Sequence, residues 1–158
     1  MRDIYSVLEK IGIPYEEYEH PPVFTVEETE KYERGNGTPS KNLFLRNKKG
    51  NKHYLVVLEA NKRIDLKNLE VLLQEKGLSF ASSERMMQYL GLTPGSVSPL
   101  GLINDINQEV SVIVDKDLLK SEKQGFHPNV NTATLVIKTD DFKKFLDWTK
   151  NKITYVAI

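Results

Sequence analysis

Cysteine is missing from all 158 residues, and disulfides, thiolate metal sites and a thiol nucleophile go with it. The absence agrees with a reducing compartment. Excess charge is missing too. Lys plus Arg and Asp plus Glu number 22 each, so no overall field draws in a nucleic acid or a membrane, and a polyanion must be met by a local patch. No apolar run approaches the ~20 residues of a membrane span. The opening stretch MRDIYSVLEKIG carries acids and alternates polar with apolar residues, unlike a signal peptide. Neither a GxSxG elbow, a Walker A loop nor a GxGxxG turn is found. The stretch GTPSK at 37–41 lacks the glycine spacing of a phosphate loop and has no Ser or Thr after its lysine. His20, His53 and His127 have no ligand spacing, so neither a metal nor a cofactor is expected.

What is present is an ordinary globular composition, 39% hydrophobic and 28% charged. The length suits one domain over 1–158 with its own core, expected in the cytoplasm. Ile4, Val7, Leu8 and Ile11 have helical spacing, with Gly12 as the stop. An extended PYEEYEH leads to Pro21-Pro22. Thr25 and Glu28 have capping-box spacing and predict a short helix. After a loop at 35–39, Leu43–Arg46 and Tyr54–Glu59 read as a hairpin closed by NKKGNK. Asp65 predicts a helix through Leu66, Leu69, Leu72 and Leu73 to Gly77; LSFAS is a short strand, and Ser83 a cap for the helix with Met86, Met87 and Leu90. Pro94-Gly95 signals a turn. VSVIV at 110–114 and ATLVI at 133–137 predict central strands, Asp140 or Asp141 a last amphipathic helix, and ITYVAI a closing strand. Interspersed strands and helices with a hairpin predict a mixed sheet in one α/β domain.

Three polar clusters at loop edges are candidates for chemistry: Lys41-Asn42, the Gly95-Ser96-Val97-Ser98-Pro99 turn, and Gly125-Phe126-His127-Pro128-Asn129. Each has a plain reading: a solvated lysine, a structural turn, a loop histidine. Loops on a rigid sheet are nevertheless where catalytic groups gather, and three clusters make a composite site reasonable. Val23, Phe24 and Val26 in PPVFTV are candidate pocket walls, with a hydrophobic staple around Thr25 as the structural alternative. Arg46, Lys48, Lys49 and Lys52 in RNKKGNKH form the best local basic patch for a polyanion, although an exposed hairpin tip explains lysines equally well.

HPPVFTVEE at 20–28, SKNLFLRNKKGNKHYLVVL at 40–58, GLTPGSVSPLGLIND at 91–105 and HPNVNTATLVI at 127–137 stand in an order that resembles the free-standing prolyl-tRNA editing domains of the YbaK-like aminoacyl-tRNA deacylase family. The likeness spans nearly the whole chain and is greatest to the members that hydrolyse alanyl-tRNA(Pro), with the cysteinyl-tRNA(Pro) deacylases as the alternative. It implies a mixed, barrel-like β-sheet flanked by helices. Lys41 matches the family's essential lysine with Asn42 beside it, Gly95 and Pro99 its GxxxP loop, and His127 its strand-flanking histidine. Nothing resembles a synthetase catalytic or anticodon-binding domain, so editing would act in trans. The expected partners are aminoacyl-tRNA(Pro) and a prolyl-tRNA synthetase, with no role for DNA or a membrane.

The implied substrate is an ester, already activated, so the protein needs chiefly to hold the carbonyl, place a water and stabilise the developing oxyanion. That suits a chain without thiol or metal motif. Backbone N–H groups of the Gly95–Pro99 turn, with Ser96 and Ser98, are expected to bind substrate, and Lys41 to present a compact charge to a carbonyl or phosphate oxygen. Asn42 and His127 are expected to orient substrate or water. A non-catalytic module binding tRNA or a synthetase is the alternative from another class.

Overall fold

The computed structural model describes residues 2–22 and 37–158. The Asp3 side chain accepts from the Tyr5 N–H and starts helix α1 (Ile4–Ile11), which Gly12 ends in the left-handed region at φ 74°. The chain continues through β1 (Glu16–Glu19), β2 (Thr38–Arg46), β3 (His53–Glu59), α2 (Leu66–Leu73), β4 (Ser79–Phe80) and α3 (Ser83–Leu90). Short 3-10 helices at Pro94–Ser96 and Pro99–Asn104 precede β5 (Val110–Asp115), and another at Lys116–Lys120 precedes β6 (Lys123–Phe126). Then come β7 (Ala133–Lys138), α4 (Thr139–Thr149) and β8 (Ile153–Val156).

The eight strands form one mixed sheet flanked by helices, in the order β1-β7-β6-β2-β3-β5-β8, with β4 also pairing β2. It is built as two leaves that meet on β2. In one leaf β1 and β6 flank β7, both antiparallel to it. In the other, β3 is antiparallel to β2, and β5 and β8 follow in parallel. Among the described residues, the leaves join only where Thr38 and Pro39 of β2 run parallel to Gln124 and Gly125 of β6. A close approach prepares that join: a Cβ on Gly37 would lie 3.0 Å from Val136 Cγ2 and 3.3 Å from Gly125 Cα, so only glycine enters without displacing them.

Both leaves share the larger core. Phe126, Leu135 and Ile137 from one meet Phe44, Leu55, Val57, Val112 and Val114 from the other, closed over by Leu8, Leu90, Phe142 and Phe145 of the helices. On the opposite face of β3, Tyr54, Val56 and Leu58 pack with Leu45, Leu69, Leu78 and Ile113 beneath α2. β3 is thus buried on both faces, which explains its unbroken apolar run. Each fully buried side chain of this size contributes about 1.5–3 kcal/mol.

Several local expectations shift. β2 starts at Thr38, before the expected Leu43, because β6 draws the loop's end into the sheet. Lys41 and Asn42 therefore stand inside a strand, not at its mouth. α2 stops at Leu73 with Gln74 in the left-handed region, short of Gly77. The cap of α3 is Ser82, whose hydroxyl accepts from the Arg85 N–H, in place of Ser83. α4 starts at Thr139, with Asp140 and Asp141 in its first turn, where carboxylates complement the helix dipole. The Thr25 helix lies outside the described residues.

Candidate active site

Beyond Pro39, β2 and β6 part, since β6 ends at Phe126, and β4 rejoins β2 only at Leu45 and Arg46. On this edge of β2, opposite β3, no strand pairs with Ser40–Leu43 among the described residues, so the sheet has an opening there. The Phe44 carbonyl, on this side, accepts from the Ala81 N–H at 2.9 Å. By the two-residue repeat, the N–H and C=O of Asn42 point to the same side.

Lys41 alternates with Leu43 and Leu45, which pack into the cluster beneath α2. Its side chain is half-buried, and Nζ donates to the Lys62 carbonyl at 2.7 Å. An ammonium has three donors, so this anchor leaves two for a ligand. The parallel register ends at Pro39 and Gly125, and Lys41 and His127 each stand two residues further along their chains. Lys41 and His127 are thus brought to the same end of one seam.

His127 Nδ1 lies 3.1 Å from the Ala133 carbonyl. A carbonyl only accepts, so the neutral ring carries its proton on Nδ1 and leaves the Nε2 lone pair free of it. Burial pushes the His127 pKa below the ordinary histidine value; the Ala133 bond opposes this and nearby His20 adds to it. At neutral pH the ring is therefore an acceptor. His20 approaches edge-on, with ring centroids 6.1 Å apart, and its Nε2 lies 2.8 Å from the buried Thr134 hydroxyl. Residue-by-residue reading passed over His20 as a site member, although it opens the stretch HPPVFTVEE, because its place beside His127 depends on the antiparallel pairing of β1 with β7.

Asn42 faces the other way, toward the shared core with Phe44. Its Nδ2 donates to the Ser40 hydroxyl at 3.2 Å, while Oδ1 is buried with no hydrogen-bond partner among the described residues. An orphaned acceptor of this kind costs about 1–3 kcal/mol, so it is a place where a ligand's donor would be welcome. Lys41 and Asn42 thus project from opposite faces of the strand that borders the opening.

The Gly95–Pro99 segment is two 3-10 turns opened by Pro94 and Pro99. Ser98 is fully buried, and its hydroxyl accepts from the Leu100 N–H. That capping bond holds a residue expected among the substrate contacts. Ser96 is buried, its N–H donates to the Thr93 carbonyl, and Pro99 is buried; Gly95 is half-exposed. All the hydrogen bonds of this segment among the described residues are local, and none joins it to Lys41 or His127. Val23, Phe24 and Val26 lie outside the described residues.

At the far end of β2 the hairpin turn is tied by buried Asn47, whose Oδ1 accepts from the N–H groups of Asn51 and Lys52. Lys48, Lys49 and Lys52 are exposed and Arg46 is half-buried. Arg85 donates to the Gly50 carbonyl and to His53 Nε2, both at 2.9 Å, and adds a cation that was not expected there. Five residues of extended strand put this tip roughly 17 Å from Lys41.

Residues 20–145 match the family model described as the aminoacyl-tRNA editing domain. The chain is 43% identical to the prolyl-tRNA editing protein ProX of Acetoanaerobium sticklandii over 156 residues, 98% of this chain and 94% of that protein. It is 35% identical to prolyl-tRNA synthetase associated domain-containing protein 1 of Bos taurus, covering 88% of this chain and 84% of that one. Among solved structures, a protein described as a candidate trans-editing enzyme for prolyl tRNA synthetase superposes with a TM-score of 0.72 at 21% identity, over 99% of this chain and 96% of that one, and so shares the fold. By family match and relatives together, this chain belongs to the aminoacyl-tRNA editing domain family.

Proposed function

We propose that this aminoacyl-tRNA deacylase clears alanyl esters from tRNA(Pro) in trans, correcting the mischarging of a prolyl-tRNA synthetase. The observation that carries the reading is the opening beside β2, with the Lys41 ammonium on one face of the strand and the orphaned Asn42 Oδ1 on the other. The relatives' names, a prolyl-tRNA editing protein and a prolyl-tRNA synthetase associated protein, support the choice of tRNA.

Water adds to the ester carbonyl carbon, the bond to the ribose oxygen breaks, and free alanine and tRNA leave. Lys41 faces the carbonyl oxygen and stabilises its developing charge. It is left out of the base role. His127 Nε2, unprotonated and accepting, orients the water, and Asn42 Oδ1 takes a donor from the aminoacyl group or ribose. The half-exposed turn at Gly95 contributes backbone N–H groups at the rim. Val23, Phe24 and Val26 are proposed as walls of a pocket that excludes proline by overlap, since a small pocket rejects a larger group more strongly than a large pocket rejects a smaller one. Arg46, Lys48, Lys49 and Lys52 meet the tRNA backbone away from the ester.

Deacylation of alanyl-, cysteinyl- and prolyl-tRNA(Pro) by the purified protein tests this. Alanyl ester is expected to be lost fastest and prolyl ester largely spared. Faster loss of cysteinyl ester moves the chain to the other subgroup, and loss of all three at the uncatalysed rate overturns the proposal.

A further inference from the structure

The carbonyl that anchors Lys41 belongs to a residue whose own side chain is unusually well held. Lys62 closes a turn in which its N–H donates to the Glu59 carbonyl at 3.0 Å. Its Nζ reaches Asp115 at 2.9 Å, Asp117 at 2.6 Å and the Ile158 carbonyl at 3.0 Å. Asp115, wholly inaccessible, accepts in addition from the N–H groups of Glu59 at 3.1 Å and Asp117 at 3.0 Å. Lys120 pairs with the second oxygen of Asp117 at 2.8 Å. The two lysines and two aspartates offset one another in charge, and what they give Lys41 is geometry.

We propose that Lys62, gripped by Asp115 and Asp117, is a positioning residue that fixes the Lys41 ammonium at the opening beside β2. The proposal rests on the role given to Lys41 above. A free lysine side chain has four rotatable bonds and loses about 1.5–2 kcal/mol of rotamer freedom when ordered. A carbonyl fixed at 2.7 Å orders the Lys41 end before substrate arrives. The carbonyl is fixed in turn because the turn bearing it is tied at both ends of one residue, by backbone to Glu59 and by side chain to the carboxylate at the end of β5.

The test is single-turnover deacylation by the full-length protein, on whichever of alanyl- and cysteinyl-tRNA(Pro) the wild type clears faster. Lys62→Met is expected to slow the chemical step about ten- to hundredfold, as loss of alignment does, with little change in substrate affinity. Lys62→Arg, which keeps a cation on both carboxylates, is expected to restore the rate to within a few-fold. In a Lys41→Ala background, Lys62→Met is expected to change nothing further. Since Lys62→Met strands the buried Asp115 charge, the paired variant Lys62→Met/Asp115→Asn provides a neutral version if the single one does not fold. An unchanged rate in either folded variant overturns the proposal, as does an equal loss in the presence and absence of Lys41. If Lys41→Ala alone keeps the wild-type rate, the catalytic reading of Lys41 fails at its root, an outcome visible before any Lys62 variant is made.

Discussion

Two side chains at the seam owe their readiness to what they lack. Lys41 has donors left over after its bond to the Lys62 carbonyl, and His127 has a lone pair left over because Ala133 occupies its only proton. From the first we expect Lys41→Ala to lower kcat about 10²- to 10³-fold, the usual effect of removing one group aimed at an oxyanion. Its melting midpoint should stay near wild type, because a half-exposed lysine adds little to a core; a mutant that keeps its rate would make Lys41 a solvated lysine after all. From the second we expect an acid limb in kcat/KM that lies below pH ~6.5, the ordinary histidine value, since burial lowers the His127 pKa. A pH–rate profile whose limb sits at or above that value, or persists unchanged in His127→Gln, would remove the residue from the mechanism. Lys41 and His127 could be singled out in the chain because each is a polar residue beside an apolar strand. Asn42's orphaned oxygen and His20's place beside His127 could not, because both depend on how strands distant in sequence are brought together.

Strand β2 divides its duties along its length: its start joins the two leaves, its middle borders the opening, and its end carries the basic turn. If Lys48, Lys49 and Lys52 each neutralise a phosphate, replacing all three with Ser should weaken tRNA binding and flatten its salt dependence by roughly 0.7–0.9 of slope per lost contact. Hydrolysis of a short aminoacyl mini-substrate should be unchanged, the tip being about 17 Å from Lys41. Binding measured across a salt series decides this, and an unaltered slope reduces the turn to a solubilising loop. The hairpin, α1, α2 and the interior strands were legible because their apolar periodicity is local. β6 was not, because KQGF has no strand signature of its own; its place comes from β7 and β2, which flank it. The same missing strand hid the true start of β2, and so the position of Lys41 within it.

At the scale of the whole molecule, two histidines are folded in their neutral form. His53 is buried against Tyr89 and Phe44, with Nε2 accepting from Arg85; burial first, then Arg85 and Arg46, lower its pKa. His127 is lowered likewise. With both folded values depressed, the unfolded chain takes up protons first as pH falls, so the stability contributed by the neutral rings is complete above the unfolded pKa of about 6.5 and is lost below it. The melting midpoint should therefore decline from pH 7 toward 5.5, and His53→Gln, which keeps an acceptor for Arg85 but does not titrate, should show a shallower decline. Equal slopes for mutant and wild type would exclude His53 as a source. The pairing of Glu16 with Val136 has a different kind of consequence, in the order of events during synthesis. The first strand of the sheet has no neighbour until the seventh has been made, and Lys41 emerges from the ribosome long before β6 exists to form the seam. Long-range and parallel pairings of this sort fold slowly, in milliseconds to seconds. A nascent chain that ends before residue 123 carries the ammonium without the architecture that aims it, so deacylation should be the last property a growing chain acquires.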